Sequence, residues 1–493
     1  MDHGLARWEP ARPRRVASWR HAHWLAVVTV CVGAFMGQLD ASIVSLALPA
    51  IGHDLGGSAA GVEWVALAYL LTLVGLVAPV GGWADAAGRK LLYLAGFATF
   101  TAASLGCGLA TNLAGLDAAR VVQGAGAALM QANSVALIAT VVPTRLLGRA
   151  IGVQGAAQAV GLALGPSVGG LLLAAGSWRL LFLVNLPAGL VGLVGGWYLL
   201  PRSRHLRRRQ PLDRVGLAQF VPAVTALMLA LSLAARPHAA TAPAVVAAAV
   251  AVLLGVLFVR HVRRHPAPLL DPGLVAARPV ATGLVAGLLS YTALFGLLFV
   301  APHYLRGTLR LGPRGGGLLL TVLPAALALA APAGGLVADR RGARAATAAG
   351  MALSTAGLAG LAAYAAAGGG GRVAVGALLA TTGAGLGLFT PANNAAVMAA
   401  APPRAAGATA GVLNMTRGLG TALGIAGATL AYALAAGGRP GPDASRHGMA
   451  GTALLLAAAA ALAGLVGGAA QGRAPRRILR PWQTARTRGR SPR

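Results

Sequence analysis

From residue 24 to about residue 470 the chain alternates apolar runs of some twenty residues with short polar interruptions. A helix rises ~1.5 Å per residue, so each run matches the roughly 30 Å hydrocarbon core of a bilayer. The pattern predicts fourteen helices, at about 24–50, 62–84, 91–111, 115–141, 149–174, 179–200, 215–235, 241–259, 280–302, 315–338, 345–367, 373–399, 405–435 and 447–469. Glycine and proline recur inside these runs. A soluble helix tolerates them poorly, whereas a bundle in lipid absorbs them through its neighbours. The predicted class is an all-α polytopic membrane protein.

The pattern also repeats. Pro79, Gly81, Gly82, Asp85, Gly88, Arg89 and Lys90 follow the second predicted helix; Pro332, Gly334, Gly335, Asp339, Arg340, Gly342 and Arg344 follow the tenth, which is the second of the last six. Two six-helix halves with a pair of helices inserted between them account for that phase. The expected organisation is a basic tail (1–23), an N-terminal bundle (24–200), a connector (201–214), the inserted pair (215–259), a basic loop (260–279), a C-terminal bundle (280–469) and a basic tail (470–493).

Composition sharpens this picture. Hydrophobic residues make up 57% of the chain and charged residues 11%, too few charges to build a water-exposed surface. The net charge of +30 could suggest nucleic acid, but the basic residues, all arginine except Lys90, fall mainly between apolar runs and at the termini. They are not gathered on one surface with base-reading groups. Under the positive-inside rule the clusters at 202–214, 260–278 and 473–493 place both termini in the cytoplasm and the protein in the inner membrane. The loop with Arg306, Arg310 and Arg314 runs against the trend. Arginines before the first run resemble a signal peptide, but that run is too long and is followed by more spans, so a retained helix is expected.

Eleven acidic residues occur in 493 positions, so those inside apolar runs are informative. Asp40 lies deep in the first helix, where a lone carboxylate is costly and must face a cavity or a partner; reversible protonation is one use, pinning helices another. Arg120 lies in the fourth helix, three residues after Asp117 on the same face. The turn carrying Asp85, Gly88, Arg89 and Lys90, with its counterpart at Asp339 and Arg340, reads as a conformational latch whose Arg89 and Lys90 meet lipid headgroups. Gly161, Gly165 and Gly169 share one face of the fifth helix, with Pro166 and Gly170 beside them, and predict close, kinked packing. Gln38, Gln123, Gln131, Asn133, Asn393, Asn394, Asn414 and Arg417 are candidate cavity-lining groups; Gln154, Gln158 and Asn185 are further polar groups in apolar runs. Tyr291 and Phe295 are among the candidate aromatic walls, and Trp19, Trp24, Trp178 and Trp197 read as interfacial anchors. Cys31 and Cys107 suggest no disulfide. No metal-ligand spacing, Walker loop or hydrolase elbow points to an enzyme, a metal or a cofactor.

These segments resemble the major facilitator superfamily, and within it the fourteen-helix drug:proton antiporters. The stretch Asp40 to Pro49 is similar to that family's first-helix motif, Gly81 to Lys90 to the superfamily latch, Arg120, Gln123, Gly124 and Gly126 to the fourth-helix motif, and Gly161 to Gly170 to the fifth-helix antiporter motif. The likeness runs from about 30 to 435, through Asn185, Asp213 and Gly411 to Gly424, and departs where Tyr304 and Leu305 are followed by Arg306. It implies the major facilitator fold in membrane lipid and export of a lipophilic or amphiphilic small molecule driven by the proton gradient; the sequence leaves the oligomeric state open, with a monomer favoured. Asp40 and Arg120 would then be coupling residues. Apart from Asp40 no acid is clearly embedded, so a neutral or anionic substrate is as compatible as a cationic one. A narrow-specificity metabolite or amino-acid exporter of the same fold, or a non-transporting sensor or scaffold, are the competing readings.

Overall fold

The computed structural model describes residues 9, 11–19, 21–56, 59–203, 213–234, 241–265, 268, 272–402, 405–437 and 441–470. Most of the connector, the first eight residues and the C-terminal basic tail lie outside the described residues.

A backbone N–H or C=O in hydrocarbon has no water to bond, so a spanning segment must satisfy its polar groups internally. The described chain accordingly forms long helices: α1 (Ala22–Leu55), α2 (Ala59–Ala87), α3 (Arg89–Gly108), α4 (Leu113–Val141), α5 (Leu147–Ala174), α6 (Leu180–Leu199), α7 (Arg214–Ala234), α8 (Thr241–Arg264), α9 (Arg278–Gly307), α10 (Pro313–Arg341), α11 (Ala343–Ala366), α12 (Arg372–Ala400), α13 (Ala406–Ala436) and α14 (Pro442–Ala470). No strand occurs among the described residues. Thirteen of these helices are long and apolar enough to cross a membrane; the described apolar stretch of α7, over Arg214–Leu227, is shorter. The protein is an all-α, polytopic membrane protein. Several helices outrun the predicted spans, α1 continuing to Leu55. α6 is interrupted at Val184, just where Pro187 has no N–H to return to the Leu183 carbonyl.

Helices α1 to α6 pack among themselves, α1 on α5, α4 on α2 and α3, and α6 against α1 and α3. Helices α9 to α14 form a second set, α9 on α13 and α14 and α12 on α10 and α11. The sets meet where α5 crosses α10 and where α13 crosses α2. Fifth helix meets second helix at both crossings, because α13 is the fifth of its set and α10 the second. The pair α7 and α8 leans on α2 and α13 through Phe220, Val224 and Phe258 against Val74 and Ala78. Its outer surface, with Val245, Val246, Val252 and Leu253 exposed, is apolar enough to face lipid.

Lipid removes most of the hydrophobic drive between helices, so close approach rests on small residues and on polar contacts. At the crossings the backbones nearly touch: a Cβ on Gly81 would collide with the Gly407 carbonyl, and one on Gly335 with the Gly148 carbonyl. The joints that follow also match. Gly88, between α2 and α3, has φ 112° and Gly342, between α10 and α11, has φ 86°, a region that side-chain-bearing residues adopt only with strain. These crossings and joints lie at one end of the bundle, called below the latch end.

Candidate functional site

The first cluster draws on five helices, α1, α2, α3, α4 and α6. Asp40, midway along α1, is fully buried. Its Oδ2 accepts from Arg120 Nη1 of α4 at 2.7 Å, and its Oδ1 from Gln123 Nε2 at 2.9 Å and from Asn185 Nδ2 of α6 at 3.0 Å. Arg120 Nε donates to the Val65 carbonyl of α2 at 2.8 Å and Arg120 Nη1 also to Gln123 Oε1 at 2.5 Å, while Gln123 Nε2 reaches Ser104 Oγ of α3 at 2.8 Å. The guanidinium lies 4.2 Å from the Tyr69 ring centroid and 5.7 Å from that of Phe182. The arrangement supplies what a buried ion pair needs, a matched charge and hydrogen bonds to the remaining groups. Asp117, three residues from Arg120, is half-buried and forms no ion pair with it among the described residues. The partner of Arg120 is 80 positions away.

The second cluster is the latch, and it occurs twice. Asp85, at the end of α2, accepts from Gly407 N at 2.8 Å and Ala408 N at 3.0 Å, in the first turn of α13. Asp339, at the end of α10, accepts from Gly148 N at 2.9 Å and Arg149 N at 2.9 Å, in the first turn of α5. First-turn N–H groups have no partner in their own helix and sit at the positive end of its dipole, so each aspartate caps a helix of the opposite set. The surroundings differ. Arg89 Nη2 pairs with Asp85 at 2.8 Å, whereas the matching position, one after Gly342, is Ala343. Arg340 is exposed and forms no ion pair with Asp339 among the described residues.

The expectation that Arg89 and Lys90 meet headgroups is corrected: both are buried. Lys90 Nζ donates to the Trp197 and Leu200 carbonyls at 2.8 and 2.7 Å, satisfying the open C-terminal end of α6. Glu9, in the basic tail, was missed by sequence reasoning. Its buried carboxylate takes Ser203 N at 2.6 Å, Ser203 Oγ at 2.9 Å and Leu91 N at 3.2 Å. An acid set among arginines, between Arg7 and Arg12, was the available signal. Trp178 is buried against its neighbours and donates from Nε1 to Asp54 at 2.9 Å, beside an Arg179–Asp54 ion pair at 2.6 Å.

On α5 a Cβ at Gly161 would meet the Phe35 carbonyl and one at Gly165 would overlap Ser42 Oγ, so these glycines seat α5 on α1. Gly169 is buried, Gly170 is exposed to open space, and the helix runs on through position 166. Gln38 and Gln131 are half-buried. Asn133 turns back to its own helix, donating to the Leu129 carbonyl. Asn393 ties α12 to the Gly283 carbonyl of α9 at 2.9 Å; Asn394 is buried beside it. Asn414 Nδ2 donates across the sets to the Gln131 carbonyl at 2.8 Å, and its Oδ1 accepts from Arg417 Nη1 at 3.0 Å. Asp213, His261 and His265 place ligand atoms within 4.8 Å of one another at the latch end of α7 and α8. There Asp213 Oδ1 already accepts from Gly216 N and His261 Nε2, joining the two helices.

Two sets of six helices, reciprocal second-to-fifth crossings and a repeated latch agree with the family comparison: the sequence profile of the Major Facilitator Superfamily matches residues 30–425. The chain belongs to that superfamily. It is 29% identical to the riboflavin transporter RibZ of Clostridioides difficile over 82% of this chain and 87% of that protein. It is 30% identical to the tetracenomycin C resistance and export protein of Streptomyces glaucescens over 82% of this chain and 74% of that one. Among solved structures it is similar to the proton:xylose symporter XylE, with a TM-score of 0.62 at 12% identity over 89% of this chain and 95% of that one, a likeness of fold alone. This superfamily member is a multi-pass membrane transporter of small molecules, not an enzyme.

Proposed function

We propose that the protein is a proton-coupled antiporter that exports drugs or antibiotics across the bacterial cytoplasmic membrane, with the latch end in the cytoplasm. The observation that carries the reading is the fully buried Asp40–Arg120 pair, which binds α1, α4 and α6 into one network. A proton arriving on Asp40 cancels the charge that Arg120 balances and weakens its charge-assisted hydrogen bonds. The network then no longer holds the three helices with the same strength, so proton occupancy biases one conformation over another. Return of the proton to the cytoplasmic side restores the pair.

The paired aspartate clasps support an arrangement closed at the cytoplasm, from which substrate leaves outward. Release of both clasps would admit the next substrate, and a rocking motion of the two sets about α2, α5, α10 and α13 would alternate the access. The named relative that exports tetracenomycin C supports an antibiotic-like substrate. A narrower metabolite carrier is the second reading, supported by the named riboflavin transporter.

Liposomes containing the protein, with a pH gradient imposed in each direction and internal pH recorded, test the reading. Substrate flux opposite to proton flux, lost when the gradient is collapsed and lost in Asp40→Asn, is expected. Flux indifferent to the gradient, or unchanged pH dependence in Asp40→Asn, would overturn it.

A further inference from the structure

Buried charge is unevenly compensated across the two sets. Residues 280–441 contain a single acid, Asp339, and its two oxygens are bound at the latch by Gly148 N and Arg149 N. Asp40 is no more available, since three side chains already donate to it. Arg417 is the opposite case. It lies on α13 with 6% of its surface accessible. No carboxylate among the described residues pairs with it. Nη1 donates to Asn414, while the other guanidinium nitrogens have no acceptor among the described residues and are not sealed from solvent.

Its surroundings fix where that open edge lies. Asn414, which holds Nη1, also holds the Gln131 carbonyl of α4, and the Gln131 side chain lies beside Gly37 of α1. On the other side the guanidinium lies 5.2 Å from the Tyr291 ring of α9, which stacks on Phe295 with centroids 5.9 Å apart and planes 28° from parallel. Arg417 therefore stands at the seam where α1, α4, α9 and α13 converge, with an aromatic wall beside it.

A buried cation without a counter-charge is costly, and in a membrane such a group marks a ligand or ion path. Guanidinium N–H groups form a planar fork that matches the two oxygens of a carboxylate, and neighbouring rings accept an aromatic face. We propose that Arg417 anchors the anionic group of an aromatic amphiphile, a carboxylate or phenolate, whose ring system lies against Tyr291 and Phe295. The inference rests on the transport reading above and names the chemistry of its substrate. A cation would meet the like charge of Arg417 and find Asp40 already occupied.

The test is binding without any gradient. Purified full-length protein in nanodiscs is titrated, by fluorescence anisotropy, with two dyes of one xanthene frame: fluorescein, which is anionic, and rhodamine 6G, an ester that is cationic. Fluorescein should bind at least about tenfold more tightly, and Arg417→Gln should weaken it by roughly ten- to a hundredfold, the range of one charge-assisted contact. Arg417→Lys, which keeps the charge and loses the fork, should fall between, with rhodamine 6G no weaker in either variant. Should Arg417→Gln not yield folded protein, the lysine variant and Tyr291→Ala, which should also weaken fluorescein, carry the test. Equal or stronger binding of rhodamine 6G, no binding of fluorescein by folded protein, or variants that leave fluorescein affinity within about twofold would overturn the proposal. The antiport reading fails separately. Arg417-dependent anion binding without proton-driven flux would defeat that reading alone, whereas proton-driven export confined to cations would defeat this one alone.

Discussion

Asp85 and Asp339 hold the same office in opposite halves: each closes the first turn of the fifth helix of the other set, through its second and third residues. Replacing an N-terminal capping acid by alanine costs ~0.5–2 kcal/mol, and here the cost falls on the latch-closed state. Asp339→Ala should therefore shift the closed-to-open ratio by roughly 2- to 30-fold, and Asp85→Ala by more because Arg89 also loses its partner. Spin labels at the exposed positions Arg145 and Arg340 would read this as a growing long-distance population. Unchanged distances in both variants would show that the caps do not hold the closed state.

The Asp40–Arg120 pair should behave as one unit in stability. Removing one member of a buried pair leaves the other uncompensated, at ~3–5 kcal/mol, whereas replacing both is far less damaging. Asp40→Asn and Arg120→Gln should each lower the melting temperature, and the double variant should recover most of the loss. Additive losses on thermal unfolding would mean that the two residues are not coupled.

How far this cluster was legible depends on the residue. Asp40 and Arg120 stand out because a charge in an apolar run is anomalous, and the repeated Asp–Gly turns advertise the duplication. Pairing is another matter: Asp117 sat at helical spacing from Arg120, while the true partner lies on another helix. Ser104 and Asn185 looked like any polar group in a span. Arg89 and Lys90 followed the statistics of charged loop residues, and nothing in a linear pattern tells a headgroup contact from an inward-turned cap. Helix number and class were legible because bilayer thickness acts on every span alike, whereas side-chain direction is set by packing between distant segments.

Away from the latch end, Asp54 offers a pH handle. Hydrogen bonds from Arg179 and then from Trp178, together with the charge of Arg179, hold its carboxyl below the usual range. A depressed folded pKa contributes stability that is present above the unfolded value of about 3.9 and is lost as pH falls through the folded value. Asp54→Asn should therefore melt earlier than the parent protein above about pH 5, with the difference vanishing in more acidic buffer. A difference that persists at the lowest pH the protein survives would assign the effect to packing rather than charge.

Glu9 fastens the N-terminal segment to Ser203 and Leu91, beside the turn that bears Arg89. Glu9→Ala should free the segment, seen as faster amide exchange at Ser203 and Leu91 and faster proteolysis before α1. Unaltered exchange at both amides would remove Glu9 from the assembly of the latch end.

The reciprocity of the clasps has a geometric consequence. Each draws its acid from one half and its donors from the other, so two copies of a single six-helix unit, facing each other about a twofold axis, could form both from one set of residues, as an isologous dimer does. Fusing such copies into one chain lets them diverge. Here Arg89 braces one clasp and Ala343 leaves the other bare, so a seam that is symmetric in shape is unequal in strength, and its opening has a built-in starting point.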